Sequence, residues 1–183
     1  MSKTVDWKTE IDLVTEKFRS NFSNFTQEEM NYKLKENDWS IAQIITHIIL
    51  LNNSYFEYFK EIQNGNHTLQ THKNLDAKAE SSLTMLMPFT KKDRLKRTNT
   101  WDIWEPPSVF IDRNVIQDFE ESQFEFKKLI ENFEASIMSD TFIKYPGHLD
   151  LVFKLDDCIS FLIEHENRHL NQAFEIGRHS QNS

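Results

Sequence analysis

Apolar residues recur every three or four positions in four stretches of the chain, the spacing that places them on one face of an α-helix. The first stretch, from Trp7 to Phe25, predicts a helix of roughly twenty residues. The second predicts a helix from about Ile41 to about Ile62, apolar on nearly all sides and therefore deeply buried. The third and fourth stretches predict helices over 115–137 and 156–177.

Local signals mark where two of these helices begin and end. Ser40 is followed three residues later by Gln43, a capping-box spacing that predicts the start of the second helix. Asp156 or Asp157 can cap the start of the fourth helix, and Gly177 is expected to end it.

The segment 63–111, between the second and third helices, is the least regular part of the chain. A short helix is predicted near Leu75 to Met87, stopped by Pro88, and the basic run over 91–97 is expected to be a solvated loop. Tyr145-Pro146-Gly147 predicts a loop before the fourth helix. Four long helices with one long crossover predict an all-α fold, an antiparallel four-helix bundle. The 183 residues predict a single domain over 1–183.

Composition narrows the class of protein. Three Gly and four Pro are too few for the many tight turns of an all-β fold. A formal net charge of −8 opposes nucleic-acid binding, because that affinity depends on Lys and Arg. No run approaches the roughly 18 apolar residues of a membrane span, so we expect no membrane partner. A single cysteine and the absence of an apolar N-terminal signal predict a cytoplasmic location.

Three histidines are the candidate chemistry. His165 and His169 stand four residues apart on the fourth helix, so their imidazoles lie one turn apart on one side. His47 lies on the apolar face of the second helix. A buried imidazole must be hydrogen-bonded or bound to a metal. The three rings therefore predict either one divalent cation with open positions for water or substrate, or three core histidines hydrogen-bonded to their neighbours.

The string from His165 to His169 also matches the H-E-x-x-H motif of metalloproteases, in which the residue at the position of Glu166 is the general base. No distant third ligand follows, since Glu175 is the sole downstream acid, and no strand is predicted that would bind a peptide. A di-iron carboxylate site would need a second E-x-x-H, which the chain lacks. We therefore rank both alternatives below a three-histidine site.

Trp39-Ser40-Ile41 with Gln43 and His47, together with His165-x-x-Arg168-His169-x-x-Gln172, resembles the DinB/YfiT-like superfamily of damage-inducible bundle proteins. The resemblance implies a four-helix bundle, frequently a homodimer, with a divalent metal, zinc or nickel, held by His47, His165 and His169. It implies a metal-dependent hydrolase or an S-transferase of a low-molecular-weight thiol such as bacillithiol, acting on a small molecule. The alternative is a non-catalytic dimeric scaffold or stress-response protein. Many members carry a histidine where this chain has Arg168.

Side chains around these histidines carry weaker predictions. Gln172 either orients a ligand or is an ordinary polar helix residue, and Arg168 is expected to form an ion pair at the surface. Cys158 is expected to be a small core residue and not a ligand. The aromatic residues of the crossover and the following loop are expected to pack over one end of the bundle, with a pocket mouth as the alternative: Trp101, Trp104 and Tyr145.

Overall fold

The computed structural model describes residues 3–65, 74–89, 100–133 and 141–181. Its helices and strands are α1 Lys3–Phe22, α2 Gln27–Asn31, α3 Ile41–Gln63, α4 Leu75–Leu86, α5 Val115–Ile130, β1 Phe142–Tyr145, β2 His148–Lys154 and α6 Leu155–Ser180. Helices α1, α3, α5 and α6 form a four-helix bundle in which α5 and α6 each pack against both α1 and α3. Within the described ranges, no helix combines the length and the apolar character needed to cross a membrane.

Contacts between helix ends give the direction of α1 and α6. The Trp7 indole N–H, near the start of α1, donates to Ser160 Oγ near the start of α6 at 3.2 Å. Near the other end, the rings of Phe22 and Phe174 lie 5.6 Å apart. The first and last helices of the bundle therefore run parallel to each other.

Helices α3 and α5 form a second parallel pair, opposite in direction to the first. Ser122 Oγ donates to Asn53 Oδ1 at 3.4 Å, and the Gln63 amide donates to the Leu129 carbonyl at 2.8 Å. After α3, the chain must return along a helix of about 34 Å before α5 begins. This return explains the long connection between Gln63 and Val115, which contains α4 and a 3-10 turn over Asp102–Trp104.

The apolar core is divided into two clusters along the bundle. One contains 51–62 of α3, 126–130 of α5 and 155–163 of α6 among its buried positions. The other contains 41–48 of α3, 115–119 of α5 and 170–176 of α6. Between these clusters lie buried polar side chains on all three helices, which we call the polar layer: His47, Asn52, Gln123, His165, Glu166 and His169.

A β-hairpin precedes α6 where the sequence predicts only a loop. Strands β1 and β2 pair antiparallel, with Ile143 opposite Phe153 and a register irregularity at the turn after Lys144. Helix α4 packs against β2, and the Val152 N–H donates to Ser82 Oγ at 3.2 Å. The hairpin thus fastens the crossover to the beginning of α6.

The predicted ends of the fourth helix are wrong. Strand β2 leads directly into α6 at Leu155, so Asp156 and Asp157 lie in the first turn and neither is the cap. Gly177 lies inside the helix, where a Cβ atom would come within 3.1 Å of the Phe22 ring. The missing side chain at Gly177 therefore leaves room for the Phe22 ring, and the helix continues past this residue to Ser180. The third helix ends at Ile130, so the predicted extension is wrong over 131–133, which are not helical. The rest of that extension, 134–137, lies outside the described residues.

Candidate metal centre

The start of α3 fixes the position of His47. The Gln43 N–H donates to Ser40 Oγ at 3.2 Å, and the Ser40 N–H donates to Gln43 Oε1 at 3.1 Å, which confirms the predicted capping box. The Gln43 side-chain amide also donates to the Pro107 carbonyl at 3.0 Å. This pair of residues ties the helix start to the crossover, two turns before His47.

The three predicted histidines come together inside the bundle. His165 Nε2 lies 3.5 Å from His47 Nε2 and 3.1 Å from His169 Nε2. One ligand atom from each ring lies within 4.8 Å of the others, and all three residues are buried. Tetrahedral zinc with Zn–N distances of about 2.05 Å separates two ligand nitrogens by about 3.3 Å. The observed spacing therefore suits a single small cation.

Hydrogen bonds at Nδ1 determine which nitrogen of two rings is available. His47 Nδ1 lies 2.8 Å from the Trp104 carbonyl oxygen, and His169 Nδ1 lies 3.0 Å from Gln172 Oε1. Because both oxygens only accept, each Nδ1 carries the proton, and each Nε2 keeps its lone pair. His165 Nδ1 is buried and has no hydrogen-bond partner among the described residues.

Burial keeps the three imidazoles neutral. It lowers the pKa of His47 to about 4, although the bond to the Trp104 carbonyl opposes this shift. Burial also holds the pKa of His165 and of His169 well below the usual range, and neighbouring imidazoles and the Arg168 charge add to the effect. Neutral rings are the form that binds a metal ion, so the site needs no deprotonation at pH 7.

Aromatic rings surround the three imidazoles. The half-buried Trp39 ring lies 4.7 Å from the His47 ring and 6.3 Å from the His169 ring, measured between centroids. Phe161, one turn before His165, stacks on its ring at 6.0 Å. Trp39 and Phe161 thus contribute to the burial of the three imidazoles.

A family model of the DinB superfamily matches residues 10–173. The chain belongs to the DinB superfamily. Among solved structures, YfiT from Bacillus subtilis matches with a TM-score of 0.64 and 13% sequence identity, covering 98% of this chain and 89% of YfiT. YfiT is described as a probable metal-dependent hydrolase with an unusual four-helix bundle topology. At 13% identity, the similarity to YfiT shows the fold alone. A comparison with curated proteins found no match.

Other predictions about this DinB-superfamily site have mixed outcomes. Gln172 is the hydrogen-bond partner of His169, so it can orient that imidazole. This contact favours the first of its two predicted roles, orientation of a ligand, over that of an ordinary polar helix residue. Arg168 is half-buried, and its charge lowers the pKa of all three imidazoles. Its ion pair at the surface stays a prediction. Cys158 is fully buried in the apolar core, outside the histidine group.

The predicted aromatic residues pack against the bundle, but Trp104 lies beside the middle of α3, at His47 and Ser54, and not over the end of the bundle. Trp104 is 1% exposed, its indole N–H donates to Ser54 Oγ at 3.1 Å, and its ring meets the Tyr145 ring edge-on. Trp101 also contacts Tyr145 but is 43% exposed. Sequence analysis did not connect the main chain of the crossover to the site. The Trp104 carbonyl is nevertheless the hydrogen-bond partner of His47 Nδ1.

Glu166 has a role in this DinB-superfamily bundle that the motif analysis did not find. Its Oε1 atom accepts hydrogen bonds from Asn52 Nδ2 at 2.6 Å and from Gln123 Nε2 at 2.8 Å. Burial raises the pKa of this carboxyl to about 7, and the two amide hydrogen bonds oppose that shift. The carboxylate is thus engaged by α3 and α5 and is not part of the histidine group, which argues against the metalloprotease alternative.

Proposed function

We propose that this protein is a metal-dependent enzyme in which His47, His165 and His169 hold a divalent cation through their Nε2 atoms. The observation that carries the proposal is the convergence of three buried, neutral imidazoles in the interior of the bundle. Histidine clusters of this kind suit zinc and nickel, and three protein ligands leave a coordination position for a reactant.

The donor set fits such a cation. Two of the three Nε2 lone pairs are fixed by hydrogen bonds at Nδ1, one to the Trp104 carbonyl and one to Gln172. Partners of this kind orient ligand histidines and commonly change metal affinity by about 10–100-fold. Without a cation, a proton on His165 Nε2 could be donated to only one of the other two Nε2 atoms at a time, so at least one buried lone pair would lack a donor, which is costly.

The bound cation would lower the pKa of a water molecule or thiol and so supply a nucleophile at neutral pH. The chain's own residues supply the surroundings: Trp39 and Phe161 contribute to the burial of the imidazoles, and the Arg168 charge favours an anionic reactant. We propose either hydrolysis of a small molecule, which the description of YfiT supports, or S-transfer of a low-molecular-weight thiol.

Metal content tests the site. The protein is purified without chelators and its metal is measured by elemental analysis, for the wild type and for His47→Ala, His165→Ala and His169→Ala. We expect about one equivalent in the wild type and less than a tenth of that in each variant. His148→Ala, which removes an exposed histidine in the hairpin, is the matched control and should keep its metal. Full metal in all three variants would overturn the proposal.

Turnover tests the activity. The metal-loaded protein is assayed in two arms, one with thiols and electrophilic acceptors and one with small hydrolysable esters and amides. Saturable turnover that a chelator abolishes, in either arm, is the expected result and identifies the reaction class. A metal-loaded protein that is inactive throughout both arms would contradict the enzyme proposal and favour the non-catalytic bundle. Homodimer assembly, a cytoplasmic location and a single domain over 1–183 stay predictions from the sequence.

A further inference from the structure

The polar layer contains a second group of buried side chains beside the three histidines. Glu166, Asn52 and Gln123 come from α6, α3 and α5, and none is more than 1% exposed. Both amides donate to one oxygen, Glu166 Oε1, at 2.6 Å and 2.8 Å. We call these three residues the carboxylate tie. It joins all three helices of the polar layer at one atom.

We propose that Glu166 is a positioning residue, which fixes the rotation of α6 through Asn52 and Gln123 so that His165 and His169 meet His47. The inference rests on the metal centre proposed above. It assigns a role to α5, which contributes no histidine to that centre.

The tie lies near the middle of α6, away from the Trp7–Ser160 hydrogen bond that joins the start of this helix to α1. Above and below it, α6 packs through the two apolar clusters, and apolar contacts have little directional preference. Hydrogen bonds to a carboxylate are directional and short, and two donors from different helices restrain the acceptor in two directions. Glu166 is also the residue next to His165, so restraint of one side chain restrains the backbone of the other.

The required accuracy makes such a restraint necessary. A histidine Nε2 lies roughly 6 Å from its helix axis, so a helix rotation of about 10° would move it by about 1 Å. Metal–ligand distances tolerate deviations of only about 0.2 Å. A rotation of about 10° is therefore enough to separate His165 and His169 from His47.

Conservative substitutions distinguish this role from ordinary packing. In Glu166→Gln, an amide oxygen can still accept from Asn52 and Gln123. In the wild type, Glu166 Oε2, Asn52 Oδ1 and Gln123 Oε1 have no hydrogen-bond partner among the described residues. The new amide nitrogen takes the place of Glu166 Oε2, and its N–H groups can donate to Asn52 Oδ1 or Gln123 Oε1. Glu166→Leu keeps a similar volume but removes the acceptor. Gln123→Met removes only the donor from α5, and is the milder variant if Glu166→Leu does not fold.

The experiment is a cobalt titration of the metal-free protein, with visible absorption to report both affinity and coordination geometry. We expect Glu166→Gln to bind within threefold of the wild type and with its spectrum. We expect Glu166→Leu to lose at least tenfold in affinity, Gln123→Met about threefold to tenfold, and both to show weaker, shifted bands. Ile159→Ala, a fully buried apolar change on the same helix, is the control for lost stability and should keep the wild-type affinity and spectrum.

Three outcomes would overturn the inference. They are wild-type binding in Glu166→Leu and Gln123→Met, equal losses in Glu166→Gln and Glu166→Leu, or an equal loss in Ile159→Ala. Crystal structures of the metal-free variants give a readout without cobalt, since His165 Nε2 should move beyond 3.5 Å from His47 Nε2 in Glu166→Leu but not in Glu166→Gln. A wild type that binds no cobalt would instead count against the metal centre itself.

Discussion

Replacing Gly147 with alanine should lower the metal affinity of the candidate centre, although Gly147 is not one of its ligands. Gly147 lies in the hairpin turn, where an added Cβ would stand 2.9 Å from atoms of both the Trp101 and the Trp104 rings. Ordinary carbon contacts lie at about 3.5–4.0 Å, so each ring must retreat by at least about 0.5 Å. Gly147 has no positive φ, so the constraint at this position is space alone.

The two rings differ in their freedom to retreat. Trp101 is 43% exposed and can swing outward. Trp104 is buried and its indole N–H is bonded to Ser54, so the displacement should reach its main chain. A shift of about 0.5 Å would stretch the bond from His47 Nδ1 to the Trp104 carbonyl from 2.8 Å to about 3.3 Å, beyond the usual range.

We expect Gly147→Ala to lower the free energy of unfolding by about 2 kcal/mol, the typical cost of overpacking. For a chain of this size the melting temperature should fall by roughly 4–8 °C. Zinc affinity should fall about tenfold, because His47 loses the partner that orients it. Thermal unfolding followed by circular dichroism measures the first effect, and competition with a chromogenic chelator measures the second.

Gly177→Ala is the matched control. It also crowds an aromatic ring, since its Cβ would lie 3.1 Å from Phe22, but it is remote from the crossover. Its zinc affinity should stay within twofold of the wild type. An unchanged melting temperature in Gly147→Ala would refute the steric argument. A lower melting temperature with wild-type zinc affinity would refute the connection through Trp104.

Three further predictions concern single side chains. Ser40→Ala should cost about 1 kcal/mol in the free energy of unfolding, measured with urea, because α3 loses its capping box; an unchanged value would contradict the capping argument. Cobalt should quench tryptophan fluorescence, and Trp39→Phe should reduce this quenching much more than Trp101→Phe, since Trp39 contacts the histidines. Burial raises the pKa of the Cys158 thiol, so folding holds its proton as pH rises. Stability should therefore fall above about pH 9, less so in Cys158→Ala, and a thiol reagent should react with the wild type only on unfolding.

The sequence predicts the meeting of the histidines because helical periodicity sets their faces. His47 lies on the apolar stripe of α3, and the spacing of His165 and His169 places both on one side of α6. Ser40 and Gln43 mark the start of α3 by a purely local interaction, which is confirmed. Long amphipathic helices leave few ways to pack, so two correct faces are enough to bring the rings together.

The hairpin was missed because its signal is short and depends on tertiary contacts. Strand β1 has four residues, too few to display alternation, and β2 is stabilised by packing against α4. The direct passage from β2 into α6 leaves no loop in which Asp156 or Asp157 could act as a cap. Such features depend on partners distant in the chain, which local patterns do not contain.

The carboxylate tie did leave a signal. Asn52 follows Ile48 by four residues and precedes Tyr55 by three, so it occupies a core position on the stripe of α3. Gln123 stands in the same relation to Phe119 and Phe126 on α5. A polar residue at a core position predicts a buried polar partner. Together with the acid beside His165, these two amides indicate a network, although not which oxygen they share.

The partner of His47 is a peptide carbonyl and not a side chain. Every amino acid at position 104 would present the same oxygen, so exchanging the tryptophan cannot delete this acceptor and can only displace it. The orientation of this imidazole is therefore encoded in the path of the chain. Relatives that differ at every position of this segment can keep the same support, and mutational scans will detect it only through changes that bend the backbone.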